Sequence, residues 1–128
     1  MALFRSADPI CLVYSSLETA KHWWANTFDC QQVEIPEYWD SPLPSDVALR
    51  FRGEEEPTIS LSSRSEADSK NIKPMSTVPI IYSDKLRKAH EHLVSRGTLP
   101  GDIQTGGDVQ FFEVRDPEGN TIEICEEP

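Results

Sequence analysis

The sequence is poor in basic residues and in long hydrophobic runs, and each shortage excludes a class of protein. Its 128 residues include 12 Lys and Arg against 22 Asp and Glu, a formal net charge of −10. Nucleic acids and anionic membrane surfaces are held mainly by Lys and Arg, so we expect neither as a partner. No stretch approaches the roughly 18 apolar residues of a membrane span, and residues 1–9 lack the apolar core of a signal peptide. These shortages predict a soluble, cytoplasmic protein.

Cysteine is also scarce. Cys11, Cys30 and Cys125 form no CxxC pair, and an odd number leaves at least one of them outside any disulfide. The sequence places neither a base nor an electropositive group beside any of them, so we expect reduced thiols rather than a catalytic nucleophile. The hydrophobic share of 38% is enough for one core, which predicts a single domain over residues 1–128.

What the sequence does contain is an internal repeat. Residues 13–17 are repeated in similar form at residues 81–86. Each segment is an apolar strand followed by a Ser or Asp that can cap a helix. The apolar spacing after each strand predicts helices at about residues 17–27 and 85–96. Asp29 and Gly97 stand where a left-handed residue ends a helix.

The second part of each repeat matches without a gap. Residues 49–61 and 112–124 both alternate apolar and polar side chains around a turn rich in Gly, Pro, Asp and Asn, which predicts two β-hairpins. A shorter extended segment precedes each hairpin, at residues 32–35 and 103–105. Each half is therefore predicted to be strand, helix and three strands.

The predicted fold is α+β, with two βαβββ modules at residues 8–62 and 77–126 joined by a linker at 63–76. One such module cannot bury both faces of its sheet. Paired modules make a curved, eight-stranded mixed sheet with helices on the convex side, and the concave side becomes a cleft of the size that binds small molecules.

The paired modules, the run SSLETAKHWWANTFDC and above all FFEVRDPEGNTIEI at residues 111–124 resemble the vicinal oxygen chelate superfamily. This group contains glyoxalase I, extradiol dioxygenases, and the fosfomycin- and bleomycin-resistance proteins. The resemblance covers nearly the whole chain and implies a glyoxalase-like fold. It does not fix the chemistry, because unrelated activities share this fold.

The resemblance also implies where metal-dependent members hold a divalent ion, with His, Glu or Gln on the first and last strands of each module. The matching positions here are Pro9, Ser60, Thr77 and Glu123, and only Glu123 is a good ligand. A catalytic transition metal needs about three protein ligands. We therefore expect no metal and no cofactor, as in the metal-free, bleomycin-resistance-like branch.

The three histidines do not change this expectation. His22 lies in the first predicted helix, and His90 and His92 lie in the second. Two residues that are two positions apart on a helix point in different directions and do not form a chelate. We expect all three to be exposed or half-packed on the helices.

Strand alternation predicts which side chains lie on the concave face, together with the positions that hold metal ligands in metal-dependent members of the superfamily. They are Cys11, Val13, Thr58, Ser62, Pro79, Ile81, Thr121, Glu123 and Cys125. Glu123 has two interpretations. It either pairs with Arg50, Arg52 or Arg115 in a neighbouring strand, or it is a carboxylate that meets a ligand or acts as a general base with a raised pKa.

Residues 34–42 combine aromatic and acidic side chains between the first helix and the first hairpin. One interpretation is a lid edge packed on the core. The other is a cleft mouth in which Tyr38 and Trp39 stack on an aromatic or cationic ligand while Glu34, Glu37 and Asp40 supply charge. The run of three Glu at 54–56 is expected to be a solvated turn.

The main functional hypothesis is a binding module that dimerises and sequesters a cationic or aromatic small molecule, as antibiotic-resistance members of the superfamily do. Its candidate ligand-binding residues are Cys11, Val13, Tyr38, Trp39, Ser60, Thr121 and Glu123. The alternative is an enzyme of the lyase, isomerase or dioxygenase type, with Glu123 as general base or metal ligand. A third possibility is an interaction domain whose cavity is filled by side chains.

Overall fold

In the computed structural model, which describes residues 3–73 and 78–127, one order of elements occurs twice. The first module contains β1 (Ile10–Tyr14), α1 (Leu17–Phe28), β2 (Gln31–Val33), β3 (Val47–Arg50) and β4 (Ile59–Ser63). A short helix, α2 (Arg64–Ser69), follows. The second module contains β5 (Ile80–Ser83), α3 (Leu86–Ser95), β6 (Gln104–Gly106), β7 (Val109–Arg115) and β8 (Thr121–Glu126).

The two modules have the same sheet topology. The strand orders are β1-β4-β3-β2 and β5-β8-β7-β6, and in each sheet the first and last strands of the module pair in parallel while the other pairs are antiparallel. The eight strands thus form two four-stranded mixed sheets. The predicted α+β class with two βαβββ modules is confirmed.

Helix α1 begins and ends as its sequence predicts. The Ser16 hydroxyl accepts a hydrogen bond from the Thr19 amide at 3.3 Å, and Asp29 ends the helix in the left-handed region at φ 56°. Gly97 follows α3 with φ 88°. The start of α3 differs from the expectation, because Lys85 is its N-cap residue and gives no side-chain cap.

The hydrophobic core is continuous across the two modules. It contains Trp24 and Phe28 of α1, Leu93 of α3, and the inward side chains of both sheets. The alternation along β8 buries Ile122 and Ile124 and leaves Glu123 between them partly exposed. Since neither module has a separate core, the two stabilise each other.

The region predicted as a linker contains secondary structure. Ser63 caps α2 by accepting a hydrogen bond from the Glu66 amide, and Ala67 of this helix is buried. The sequence prediction of an irregular linker at 63–76 therefore missed a short packed helix. Residues 74–76 and Thr77, one of the expected ligand positions, lie outside the described residues.

The N-terminal segment crosses from the first module to the second. Arg5 pairs with Tyr82 of β5 in an antiparallel bridge with backbone hydrogen bonds of 2.9 and 2.7 Å. The Arg5 guanidinium also lies over the Tyr82 ring and forms an ion pair with Glu127. No helix in the described ranges is both long and apolar enough to cross a membrane.

Candidate functional site

A cavity of about 630 Å³ opens on the first sheet. This volume lies within the range of roughly 300–1,000 Å³ that is typical of small-molecule sites. All of its walls come from the first module and the segment that follows it. They are Pro9, Ile10, Cys11, Tyr38, Trp39, Asp40, Ser41, Pro42, Leu43, Asp46, Glu56, Pro57, Thr58, Ser60, Ser62 and Ile72.

The floor of the cavity is the face of β1 and β4 that points away from the core. Cys11 pairs with Ser60 in the parallel register, and both side chains line the cavity. Ile59 and Leu61 alternate with Ser60 and are completely buried on the other face. The period of two along each strand therefore places small, polar side chains on the floor of the cavity.

Residues 38–42 form the cavity mouth, whereas Glu34 and Glu37, which were expected to supply charge there, line a separate hollow with Arg50. A turn closed by the Trp39 amide and the Pro36 carbonyl, 3.1 Å apart, presents two neighbouring aromatic rings. Tyr38 is 68% exposed and donates a 2.8 Å hydrogen bond to Glu56. Trp39 is partly buried and lines the cavity.

All the charged side chains among the described residues of the cavity walls are acidic. Asp40, Asp46 and Glu56 line the cavity, and no Lys, Arg or His is among the described residues of its walls. The Asp46 carboxylate is held by the Ser62 hydroxyl at 2.7 Å and the Leu43 amide at 2.9 Å. Such a wall favours cationic or neutral guests over anionic ones.

Two polar groups on the floor are affected by their burial. The Thr58 hydroxyl oxygen is buried and has no hydrogen-bond partner among the described residues, an arrangement that costs free energy unless a guest or water satisfies it. Partial burial raises the pKa of the Cys11 thiol, and the nearby Asp46 carboxylate raises it further. Cys11 is therefore a poor nucleophile at neutral pH.

The corresponding face of the second sheet carries a different set of groups. Glu123 of β8 stands directly opposite Glu113 of β7, and its pKa is raised, first by burial and then by the Glu113 charge. None of the ion pairs between described residues joins Glu123 to an arginine. The structure thus favours the unpaired carboxylate over the ion pair that the sequence also allowed.

Of the seven candidate binding residues, four line one cavity: Cys11, Tyr38, Trp39 and Ser60. Val13 is half-buried on β1 but is not one of the lining residues. Thr121 and Glu123 are on β8 of the second sheet. Thr121 lines a separate hollow of about 570 Å³ with Trp23 and the loop after α3.

The alternation predicted for β5 is displaced by one residue. Ile81 was expected on the concave face, but it is completely buried in the core. Its neighbours Ile80, which is 39% exposed, and Tyr82 occupy the open face instead. A displacement by one position moves a side chain to the opposite face because the strand period is two.

The residues present do not fit the metal that the superfamily resemblance implies. Within residues 3–73 and 78–127, no three His, Cys, Asp or Glu side chains are grouped closely enough to hold an ion. Pro9 and Ser60 line the cavity on the first sheet, and Glu123 lies on the second sheet. The donor set at these positions therefore gives no basis for a metal-dependent step.

The histidines make structural contacts. His90 packs against the Phe112 ring and contacts the Gly101 carbonyl at 2.9 Å. His92 lies between Phe4 and Asp29. His22 contacts Glu18 one turn earlier on the exposed face of α1.

Sequence reasoning missed several residues of the cavity, among them Asp46, Glu56 and Ile72. Glu56 was expected in a solvated turn, but it lines the cavity and accepts a hydrogen bond from Tyr38. Asp46 precedes β3 in a proline-rich stretch that lies outside the repeated segments, so it had no repeat mate to mark it. The sequence signal that was available is Asp46 itself, the acidic residue next to the apolar strand 47–50. Ile72 follows the helix that was interpreted as linker.

The fold is shared with solved structures of low sequence identity. TnmS3, an antibiotic-binding protein from Streptomyces sp. CB03234, matches with a TM-score of 0.69 and 18% identity over 100% of this chain and 99% of its own. TioX from Micromonospora sp. ML1 matches with a TM-score of 0.69 and 14% identity, covering 97% and 100% of the two chains. A member of the glyoxalase/bleomycin resistance protein/dioxygenase superfamily from Sphaerobacter thermophilus matches with a TM-score of 0.71 and 16% identity. The match covers 96% of this chain and 98% of its own.

No curated protein sequence matches the chain significantly. The family model described as the glyoxalase/bleomycin resistance protein/dioxygenase superfamily matches residues 6–124. The chain therefore belongs to this superfamily, as the residue 111–124 motif and the paired modules indicate.

Proposed function

We propose that this protein binds a small cationic or aromatic molecule and sequesters it without a metal or other cofactor. The observation that carries the proposal is the cavity of about 630 Å³, with aromatic rings at its mouth and three carboxylates but no described basic group in its walls. The similarity in fold to the antibiotic-binding TnmS3 supports a small-molecule guest. By this proposal the protein would confer antibiotic resistance by sequestration.

The proposal includes a homodimer. Ile80, which is 39% exposed, and the half-buried Phe111 and Val109 leave an apolar face on the second sheet. A second copy would cover this face, and two-fold dimers are the commonest oligomers. We place the protein in the cytoplasm, with which the free thiols Cys30 and Cys125 are consistent.

The direct test is mass spectrometry of the gently purified protein, first under native conditions and then after solvent extraction. We expect a dimer mass and a co-purifying organic compound that carries an aromatic ring or an amine. Metal analysis of protein prepared without chelator provides the control. A stoichiometric transition metal, or a thermal shift of several degrees with Zn, Ni, Mn or Fe salts, would contradict metal-free binding.

Glu123 supports a second candidate function. Its raised pKa is a property of general bases, so the alternative proposal is a superfamily enzyme in which Glu123 abstracts a proton. Glu123→Gln separates the two functions, because it should abolish turnover by such an enzyme. Binding in the first-module cavity, to which Glu123 does not contribute, should be unaffected.

A further inference from the structure

The cavity has chemically different ends, and this difference restricts its guest more than the overall charge does. The mouth presents the Trp39 and Tyr38 rings. The floor presents Asp46, Ser60 and Thr58. A guest that uses both ends must carry a flat apolar part and a hydrogen-bond donor at a fixed distance from it.

Asp46 is the strongest group on the floor. Each of its two carboxylate oxygens accepts one hydrogen bond, from the Ser62 hydroxyl and from the Leu43 amide. These contacts fix the orientation of the carboxylate, but neither brings a positive charge. Among the described residues, no Lys, Arg or His forms an ion pair with Asp46.

A partly buried carboxylate without a cationic partner attracts a positively charged donor more strongly than an exposed one does. Solvent screens it less, and a charge-assisted hydrogen bond is about twice as strong as a neutral one. Asp40 and Glu56 differ from Asp46 in this respect. Asp40 and Glu56 are both exposed, so solvent screens their charges more than it screens that of Asp46.

The Thr58 hydroxyl is the second group that points to a polar guest. Its oxygen is buried without a hydrogen-bond partner among the described residues, and Thr58 lines the same cavity as Asp46. A buried hydroxyl is rarely left unsatisfied. This oxygen is closed to solvent in the structure, so a guest nitrogen beside Asp46 reaches it only after the side chains around it shift.

Building on the proposed function, we infer that Asp46 anchors a cationic nitrogen of the guest at the floor while Trp39 covers its aromatic ring at the mouth. The cavity then selects planar aromatic amines that are protonated at neutral pH. It binds them in one orientation, with the nitrogen innermost. Neutral aromatic compounds of the same shape bind more weakly, and anionic ones bind weakest.

Three acridines test this inference, because they share one ring system and differ in charge. At pH 7.5, 9-aminoacridine is cationic, acridine is neutral and acridine-9-carboxylate is anionic. Binding is measured by isothermal titration and by quenching of tryptophan fluorescence. We expect 9-aminoacridine to bind about 10-fold or more tightly than acridine, since a hydrogen bond to a charged group has about this effect on affinity.

Asp46→Asn is the decisive variant. Its amide keeps the shape of the carboxylate and can still contact Ser62 and Leu43, so the fold is expected to persist, as checked by thermal unfolding. The preference for 9-aminoacridine over acridine should fall to less than about 2-fold. Asp102→Asn is the matched control, since it removes one charge from an exposed position outside the cavity walls.

Trp39→Phe tests the other end of the guest. The remaining tryptophans are outside the cavity walls, and Trp24 is completely buried. Trp39→Phe should therefore remove most of the acridine-induced quenching. It should weaken all acridines that bind by a similar factor, because it removes ring contact and leaves the charge contact unchanged.

The outcomes separate the inference from the proposed function on which it rests. Equal affinity for the cationic and neutral acridines, or a cation preference that survives Asp46→Asn, would overturn the role of Asp46 and leave aromatic binding intact. If none of the acridines binds the wild-type protein, both the inference and the proposed binding of aromatic guests are wrong. Binding without loss of quenching in Trp39→Phe would overturn the assigned orientation.

Discussion

The Tyr14 hydroxyl donates a 2.6 Å hydrogen bond to the Asp116 carboxylate and so joins β1 of the first module to the β7–β8 turn of the second. Trp24 donates to the same hydroxyl at 3.0 Å. Asp116 also accepts hydrogen bonds from the amides of Glu118 and Asn120. The aspartate of the residue 111–124 motif thus orders its own turn and fixes that turn to the first module.

Tyr14→Phe should destabilise the protein by about 1–3 kcal/mol, because it removes a buried hydrogen bond and leaves the Trp24 indole nitrogen without an acceptor. Urea unfolding measures the change in free energy. The control is Tyr38→Phe, whose hydroxyl contacts Glu56 at an exposed position, and which should cost less than about 0.5 kcal/mol. Equal costs for the two variants would contradict the importance of the buried contact.

Glu118 caps the start of α1 from the other module. Its two carboxylate oxygens accept hydrogen bonds of 2.9 Å from the amides of Ser15 and Ser16. Partial burial acts to raise the pKa of Glu118, but these hydrogen bonds outweigh it and the pKa is lowered. Glu118→Gln should cost about 0.5–1 kcal/mol at pH 7, at the low end for a cap because the group is exposed.

The pH dependence of this cost follows from the direction of the shift. A lowered carboxyl pKa contributes stability above the unfolded value of about 4.3, and this stability is lost as the pH falls through the folded value. The unfolding free energies of wild type and Glu118→Gln should therefore begin to converge as the pH falls below about 4.3 and meet once it is below the folded pKa. A difference that is constant from pH 7 to pH 3 would show that the charge of Glu118 has no role.

Glu113 and Glu123 form a like-charged cross-strand pair. Because burial and then Glu113 raise the pKa of Glu123, its ionisation reduces stability as the pH rises through the folded pKa. Glu123→Gln should therefore stabilise the protein at pH 7, by roughly 0.2–0.5 kcal/mol for a pair that solvent partly screens. The gain should vanish below about pH 4, where the carboxyl is protonated in both states.

Glu113→Gln serves as the matched variant for this pair. It should give a smaller gain, because it removes the repulsion but leaves the Glu123 carboxylate desolvated. The double variant should gain little more than Glu123→Gln alone, since that substitution already removes both effects. Thermal unfolding at several pH values measures all three. Full additivity would indicate that the two carboxylates do not interact.

Cys11 should report on the cavity through its alkylation rate. Burial and Asp46 raise the pKa of its thiol, so iodoacetamide should react with it more slowly at pH 8 than with an unperturbed cysteine. Asp46→Asn should increase the rate, because it removes one of the two causes. Intact-mass measurements in a Cys125→Ser background follow the reaction, with Cys30 buried and its own thiol pKa raised by burial and by Asp29. An unchanged rate in Asp46→Asn would contradict this electrostatic coupling.

The repeated elements could be predicted because their signals are local. Ser16 marks the start of α1 by its capping hydroxyl, and Asp29 and Gly97 mark helix ends by a left-handed conformation that few other residues adopt as readily. The alternation along 112–124 identified the buried face of β8 correctly, with Ile122 and Ile124 in the core. Local propensity, capping and strand period agree in these segments.

The face of β5, helix α2 and the position of Asp46 could not be predicted, because they depend on contacts between segments that are distant in the sequence. The face of β5 was predicted one position out of register, because an apolar run such as 78–81 is compatible with either face. Helix α2 carries the capping pattern Ser63 to Glu66, but its polar composition indicated a linker. The position of Asp46 relative to Ser62 is set by the pairing of β3 with β4 and by the loop before β3.

The bridge between Arg5 and Tyr82 has a consequence for how the chain folds. Arg5 cannot form this bridge until β5 has been synthesised, and β5 follows the whole first module in the sequence. The N-terminal segment is then left unpaired on the nascent chain until the second module emerges, and contacts of such long sequence separation slow folding. Before the bridge forms, both the edge of β5 and the Arg5 segment have unpaired backbone groups. Mispairing with another chain would begin at these two places.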